Sequence, residues 1–196
     1  MKNITLALAV SGALALSLTS TANAENNGVL KFSGTLTNIS CSVSPGAGTG
    51  PGTGTQPGEI AVDLGNVSFS EIGTSGENKL ETATPIQLLV NCTSGAEQYN
   101  LVKMRFKAGM GHGTDDNDSK LLRVTGSAGG VAIGVLNASN QLMDLSGTGT
   151  IDKPLVKDGA GGATAELNLA GVYMLNGTVT RPGTAMGDLP FTLDYE

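Results

Sequence analysis

Short runs in which apolar and polar residues alternate, cut apart by glycine-rich turns, limit what this chain can fold into. The last of them is "LPFTLDYE": Leu189, Phe191, Leu193 and Tyr195 share one face, and Pro190, Thr192, Asp194 and Glu196 the other. That period of two is the mark of a half-buried strand, and it runs to the final residue, where ends usually fray unless something ties them down. Near the other end, "GVLKFSGTLT" sets Gly28, Leu30, Phe32, Gly34 and Leu36 on one face and Lys31, Ser33, Thr35 and Thr37 on the other. Between them lie "EIAVDLG" (59–65), "TPIQLLVNC" (84–92), "YNLVKMRFKA" (99–108), "KLLRVTG" (120–126), "VAIGVLN" (131–137) and "AELNLAGVYML" (165–175), separated by turn chemistry such as "GTSGEN", "GHGTDDND" and "SAGG". Many short strands with regular turn signals predict an all-β sandwich. Residues 165–175 could pass as a short helix, but the central Gly171 and the β neighbours favour a strand.

The first residues read as a targeting segment. Lys2 supplies a positive start, an apolar stretch runs from about Ile4 to Leu18, and Ala22-Asn23-Ala24 offers a small-residue cleavage pattern. The expectation is a secretory signal peptide over 1–24, cut after Ala24. The apolar run is shorter than the roughly 20 residues of a spanning helix, which disfavours a membrane anchor. Loss of Lys2, the only charge in that segment, moves the net charge from -6 to -7. An acidic chain with no basic cluster is a poor nucleic-acid binder. Both cysteines, Cys41 and Cys92, fall in the exported part, where an even count predicts a disulfide. Closing a loop of that length is worth roughly 4 kcal/mol in the chain-entropy treatment. Two cysteines and one histidine make a poor zinc site. The Gly/Thr/Pro run "SPGAGTGPGTGTQPGE" (44–59) has no apolar anchor and reads as a surface loop.

Little in the chain points to catalysis. His112, the single histidine, sits between glycines with no triad-like neighbour, which reads as an exposed loop residue whose replacement leaves function intact. Asp115, Asp116, Asn117 and Asp118 form an acidic turn, but they miss the spacing of a calcium loop. Sequons such as Asn38-Ile39-Ser40 and Asn176-Gly177-Thr178 arise by chance in a chain this rich in Ser, Thr and Asn. No paired carboxylates, phosphate-cradling loop or metal cluster stands out, so the expectation is a non-enzyme without cofactor or metal.

"FSGTLTNISCSV", "ATPIQLLVNC", "VAIGVLNASNQLMDLSG" and "RPGTAMGDLPFTLDYE", in this order and with penultimate Tyr195, resemble pilins of the chaperone–usher pathway, in particular the type 1 fimbrial subunit family. The resemblance spans nearly the whole chain after residue 24. It implies an incomplete immunoglobulin-like sandwich that lacks its last strand and carries an apolar groove there. A periplasmic chaperone, and then the N-terminal extension of another pilin subunit, would fill the groove by strand addition, with an outer-membrane usher handling export. The resulting divisions are a donor-strand extension over 25–34 and a pilin domain over 35–196. Gly28, Leu30 and Phe32 would be the donor residues, and Cys41–Cys92 the family's disulfide. Gly183, Phe191, Leu193 and Tyr195 would form the groove edge that meets the chaperone. The implied product is an adhesive fimbria on the bacterial surface, with no nucleic acid involved. The short stretch before Phe32 also fits a minor or adaptor subunit, and an adhesin domain is the further alternative. The 44–58 run is longer and simpler than this family's usual connection, so no groove residue is carried over between Cys41 and Cys92.

Overall fold

Valine, isoleucine, leucine and threonine at alternate positions favour extended backbone, because branched side chains pack well on a pleated surface. The computed structural model describes residues 28–35 (backbone only), 41–46, 59–77 and 79–196; the expected signal peptide, the sequon at Asn38 and most of the Gly/Thr run lie outside these residues. The strands are β1 (Gly28–Thr35), β2 (Cys41–Pro45), β3 (Glu59–Asp63), β4 (Thr84–Cys92), β5 (Leu101–Phe106), β6 (Val131–Asn137), β7 (Thr150–Pro154), β8 (Val156–Lys157), β9 (Ala163–Leu175), β10 (Ala185–Asp188) and β11 (Phe191–Tyr195). A 3₁₀ turn, Ala108–Met110, follows β5.

They form two sheets. One runs β2-β4-β9-β6, with β8 on the end of β9; the other runs β10-β1-β11-β5-β7, with β3 on the far side of β1. This is the expected all-β, immunoglobulin-like sandwich, with β1 lying between β3 and the β10/β11 wall. The inward faces share one core, in which Leu88, Val90, Val102, Met104, Phe106 and Leu167 are almost fully buried. The disulfide joins Cys41 to Cys92, which face each other across β2 and β4 with Cα atoms 3.9 Å apart.

Strand β6 is buried on both faces, which accounts for its unbroken apolar sequence. Its outer face and that of β9 are covered by a second small cluster: Leu121, Ala132, Leu136, Val172 and Met174. The expected strand over 120–126 does not form. Leu121 and Leu122 are both fully buried, but they enter different clusters. The segment therefore crosses between the two as a loop with isolated bridges from Leu122 to Ile133 and from Thr125 to Met186. Gly126, at φ 119°, turns it where its ideal Cβ would lie 2.2 Å from the Thr184 carbonyl.

Candidate functional site: a strand slot in the sheet that holds β1

Strands β10 and β11 are one strand interrupted at Leu189–Pro190. β1 runs parallel to both and keeps one register across the break, Gly28 opposite Ala185, Lys31 opposite Asp188, Gly34 opposite Phe191. Pro190 has no N–H to give, which explains the break. On its other side β1 pairs antiparallel with β3, from Val29–Asp63 to Ser33–Glu59. The first described segment, β1, thus occupies a slot between two strands of the domain body.

The slot is apolar on its core side. Ile60 and Val62 point inward from β3. From the other wall come Ala185, Gly187, Phe191 and Leu193. Gly187 has to be small, because a Cβ there would lie 2.7 Å from Leu122 and 3.2 Å from Ile133. Beneath this wall, Tyr173 reaches over from β9 and its hydroxyl donates to the Ala185 carbonyl at 2.9 Å. Burial, and then the nearby Asp63 carboxylate, push the Tyr173 phenol upward.

The expected residues fall around this slot. Gly28, Leu30 and Phe32 lie in β1; Gly28 is opposite Ala185, Leu30 is opposite Gly187 and Val62, and Phe32 is opposite Ile60. Phe191 and Leu193 are buried on the inward face. Tyr195 is half-buried, its ring edge-on to Tyr99 with centroids 6.3 Å apart. Its hydroxyl is buried with no hydrogen-bond partner among the described residues, and burial raises its pKa to about 12. On the outward face, Arg105 pairs with Asp194 and Lys103 with Glu196, while the Glu196 backbone exchanges hydrogen bonds with Leu101, so the final strand is tied to β5 to its last residue. Gly183 lies at the mouth, against a cavity of about 40 Å³ lined by Val67, Phe69, Ile72, Tyr173 and Pro182. A side chain there would meet Ser127 Oγ at 2.4 Å and the Ala128 nitrogen at 2.5 Å, so close packing requires the glycine.

One sequence reading changes. His112 is half-buried, not an exposed loop residue, and it contacts the slot's wall. Its Nδ1 accepts the Asp188 N–H at 3.0 Å, and its Nε2 lies 3.3 Å from the Asp188 carboxylate. In the acidic turn, Asp115 is buried; its carboxylate accepts from the backbone of Asn117 and Asp118 and from Asn176 Nδ2. Strand β10 was missed because its inward residues, Ala185 and Gly187, are too small to signal a strand. Tyr173 and His112 gave no local signal either, since their partners are distant in sequence.

The profile of the family described as fimbrial protein matches residues 30–196. No curated protein matches the sequence. Among solved structures, the CupB6 tip adhesin from Pseudomonas aeruginosa aligns at 16% identity and a TM-score of 0.35, over 56% of this chain and 33% of that one. The chain spans about a third of that adhesin's length (33%).

Proposed function

The chain belongs to the fimbrial protein family, and from that premise we propose that it is a structural subunit of an adhesive surface fibre that polymerises by strand exchange. In this reading the slot between β3 and β10/β11 is the acceptor, and residues 25–34 of another copy, or of a fellow subunit, are the donor. Gly28, Leu30 and Phe32 enter the slot, and Phe191, Leu193 and Tyr195 line the wall that receives them. A periplasmic chaperone holds the slot before assembly and an outer-membrane usher exports the subunit to the fibre.

One observation carries the reading: the filler of this slot is β1, the first described strand, joined to the rest of the domain through residues 36–40. Once cleavage after Ala24 leaves β1 held on one covalent side, it can leave the slot, and an equivalent strand on another chain can take its place by the same main-chain bonding. Head-to-tail contacts of this kind do not close, so they give an open filament. The bare edges left by an empty slot are an aggregation hazard, which is why a chaperone belongs in the scheme.

The test is assembly of the purified mature chain, followed by size-exclusion chromatography and electron microscopy. Multimers that require residues 25–34 and disappear on their deletion are expected. Multimers that survive the deletion, or a chain that stays monomeric even when a fellow subunit and chaperone are supplied, would defeat the proposal.

A further inference from the structure

Among the described residues, no strand lies against the edge of β10 that faces away from β1. Its backbone groups fall at alternate residues and are met one by one. Thr184 O accepts from Ala128 N and Thr184 N donates to Ser127 Oγ. Met186 exchanges both bonds with Thr125. Pro190 O accepts from Lys107 N at 2.7 Å, after which β5 takes over. At Asp188, immediately before the break, the carbonyl accepts from His112 N at 3.3 Å and the N–H goes to the His112 ring. The chain between Lys107 and His112 bulges away in the 3₁₀ turn, and Gly111 lets it return close to Asp188 and Pro190.

We infer that His112 is a positioning residue for strand capture, holding the slot wall extended at Asp188 so that β10 and β11 stay in one register with β1 across the proline break. This rests on the strand-slot reading above. Asp188 is the register partner of Lys31 in β1. A residue in a strand points its N–H and C=O to the same side, so the two Asp188 bonds to His112 orient the next residue's groups, those of Leu189, toward β1. Without the ring, Asp188 N–H loses its partner at the one place where proline already prevents a regular ladder. The imidazole does this through Nδ1 as acceptor, leaving Nε2–H to face the Asp188 carboxylate.

Hydrogen exchange on the full mature chain, read by mass spectrometry, tests the inference with three variants. His112→Asn keeps an acceptor near the Nδ1 position; His112→Gln moves its polar end to the Nε2 position; His112→Ala removes both. Amides of 28–35 and 185–188 are expected to exchange about tenfold faster in His112→Ala and His112→Gln, the size of one lost hydrogen bond, and to stay near wild type in His112→Asn. Amides of β4 and β9 are expected to be unchanged in all three. Equal acceleration in β4 and β9 would mean only general destabilisation and would overturn the inference, as would unchanged protection of 28–35 in both Ala and Gln variants. If His112→Ala does not fold, the contrast between Gln and Asn decides. Unprotected 28–35 amides in the wild-type chain would instead bring down the strand-slot reading itself, and this inference with it.

Discussion

Deleting residues 25–35 empties the slot and leaves Glu59–Asp63 and Ala185–Asp188 without their β1 partners. It also opens a gap beside Ile60, Val62, Phe191 and Leu193, all at most 4% exposed in the intact chain. Full exposure of such a side chain costs about 1.5–3 kcal/mol. Half exposure of these four then costs roughly 3–6 kcal/mol, against a typical domain stability of about 5–15 kcal/mol. At about 2–4 °C per kcal/mol for a domain of this size, the truncated chain should melt roughly 6–24 °C lower. A peptide of residues 25–36, present during refolding at about 100 times its dissociation constant, returns about 2.7 kcal/mol, or roughly 5–11 °C. Thermal unfolding followed by far-ultraviolet circular dichroism across a peptide titration measures both shifts. The same peptide carrying Phe32→Asp should give no rescue, because an unpaired carboxylate entering an apolar site costs several kcal/mol. A truncated chain that melts like the intact one, or equal rescue by both peptides, would refute the assignment of the slot.

Other changes probe the wall. Gly111→Ala would place a Cβ 2.3 Å from the Asp188 carbonyl and 2.6 Å from Pro190 Cδ, so a loss of about 1–3 kcal/mol is expected in denaturant unfolding; an unchanged midpoint would show that the 3₁₀ turn does not brace this strand. Tyr195→Phe removes a buried hydroxyl that has no partner among the described residues, so stability should hold or rise by about 1 kcal/mol, and weaker capture by a chaperone in a pull-down would then locate the hydroxyl's role in the partner complex. Because burial raises the Tyr195 pKa to about 12, above its unfolded value near 10, the stability it contributes is complete below pH 10 and fades as pH climbs from 10 to 12. Unfolding midpoints over that range should therefore fall less steeply in Tyr195→Phe than in the parent chain.

The sandwich was legible because its strands announce themselves. β4 and β6 coincide with apolar runs read directly from the sequence, and the alternation in "LPFTLDYE" marks the residues that β11 buries. The site was legible only where large side chains carry it. Phe191 and Leu193 follow from periodicity, but Ala185 and Gly187 leave no apolar trace, since the slot needs small residues there to clear Leu122. The stretch 120–126 misled for the opposite reason: Leu121 and Leu122 look like part of one strand and are divided between two clusters. His112 was discounted because glycine neighbours suggest solvent, whereas Gly111 is there to bring the ring onto Asp188, 76 residues away in sequence. Contacts at that separation have no local signature, and they decide what holds the slot.

The chain's own strand must compete with any incoming one, and its tether sets the terms. Only residues 36–40 separate Thr35 from Cys41, and six Cα steps reach at most about 20 Å. In the observed direction Thr35 lies opposite Thr192. A reversed strand would carry Thr35 to the Ala185 end, roughly 23 Å along the sheet, with a further ~10 Å to cross to the facing sheet that holds Cys41. The short tether limits how far Thr35 can move from Cys41, a limit that a strand from another chain does not share. A short tether also holds the resident strand at an effective concentration in the millimolar range. A donor peptide that binds the truncated domain at about 1 μM should then bind the intact chain roughly a thousandfold more weakly. Fluorescence anisotropy with labelled residues 25–36 measures the ratio. Equal affinities would mean that β1 does not guard the slot. A large ratio would mean that exchange between free subunits is self-limiting, so that assembly depends on a partner able to keep the resident strand out until the next donor arrives.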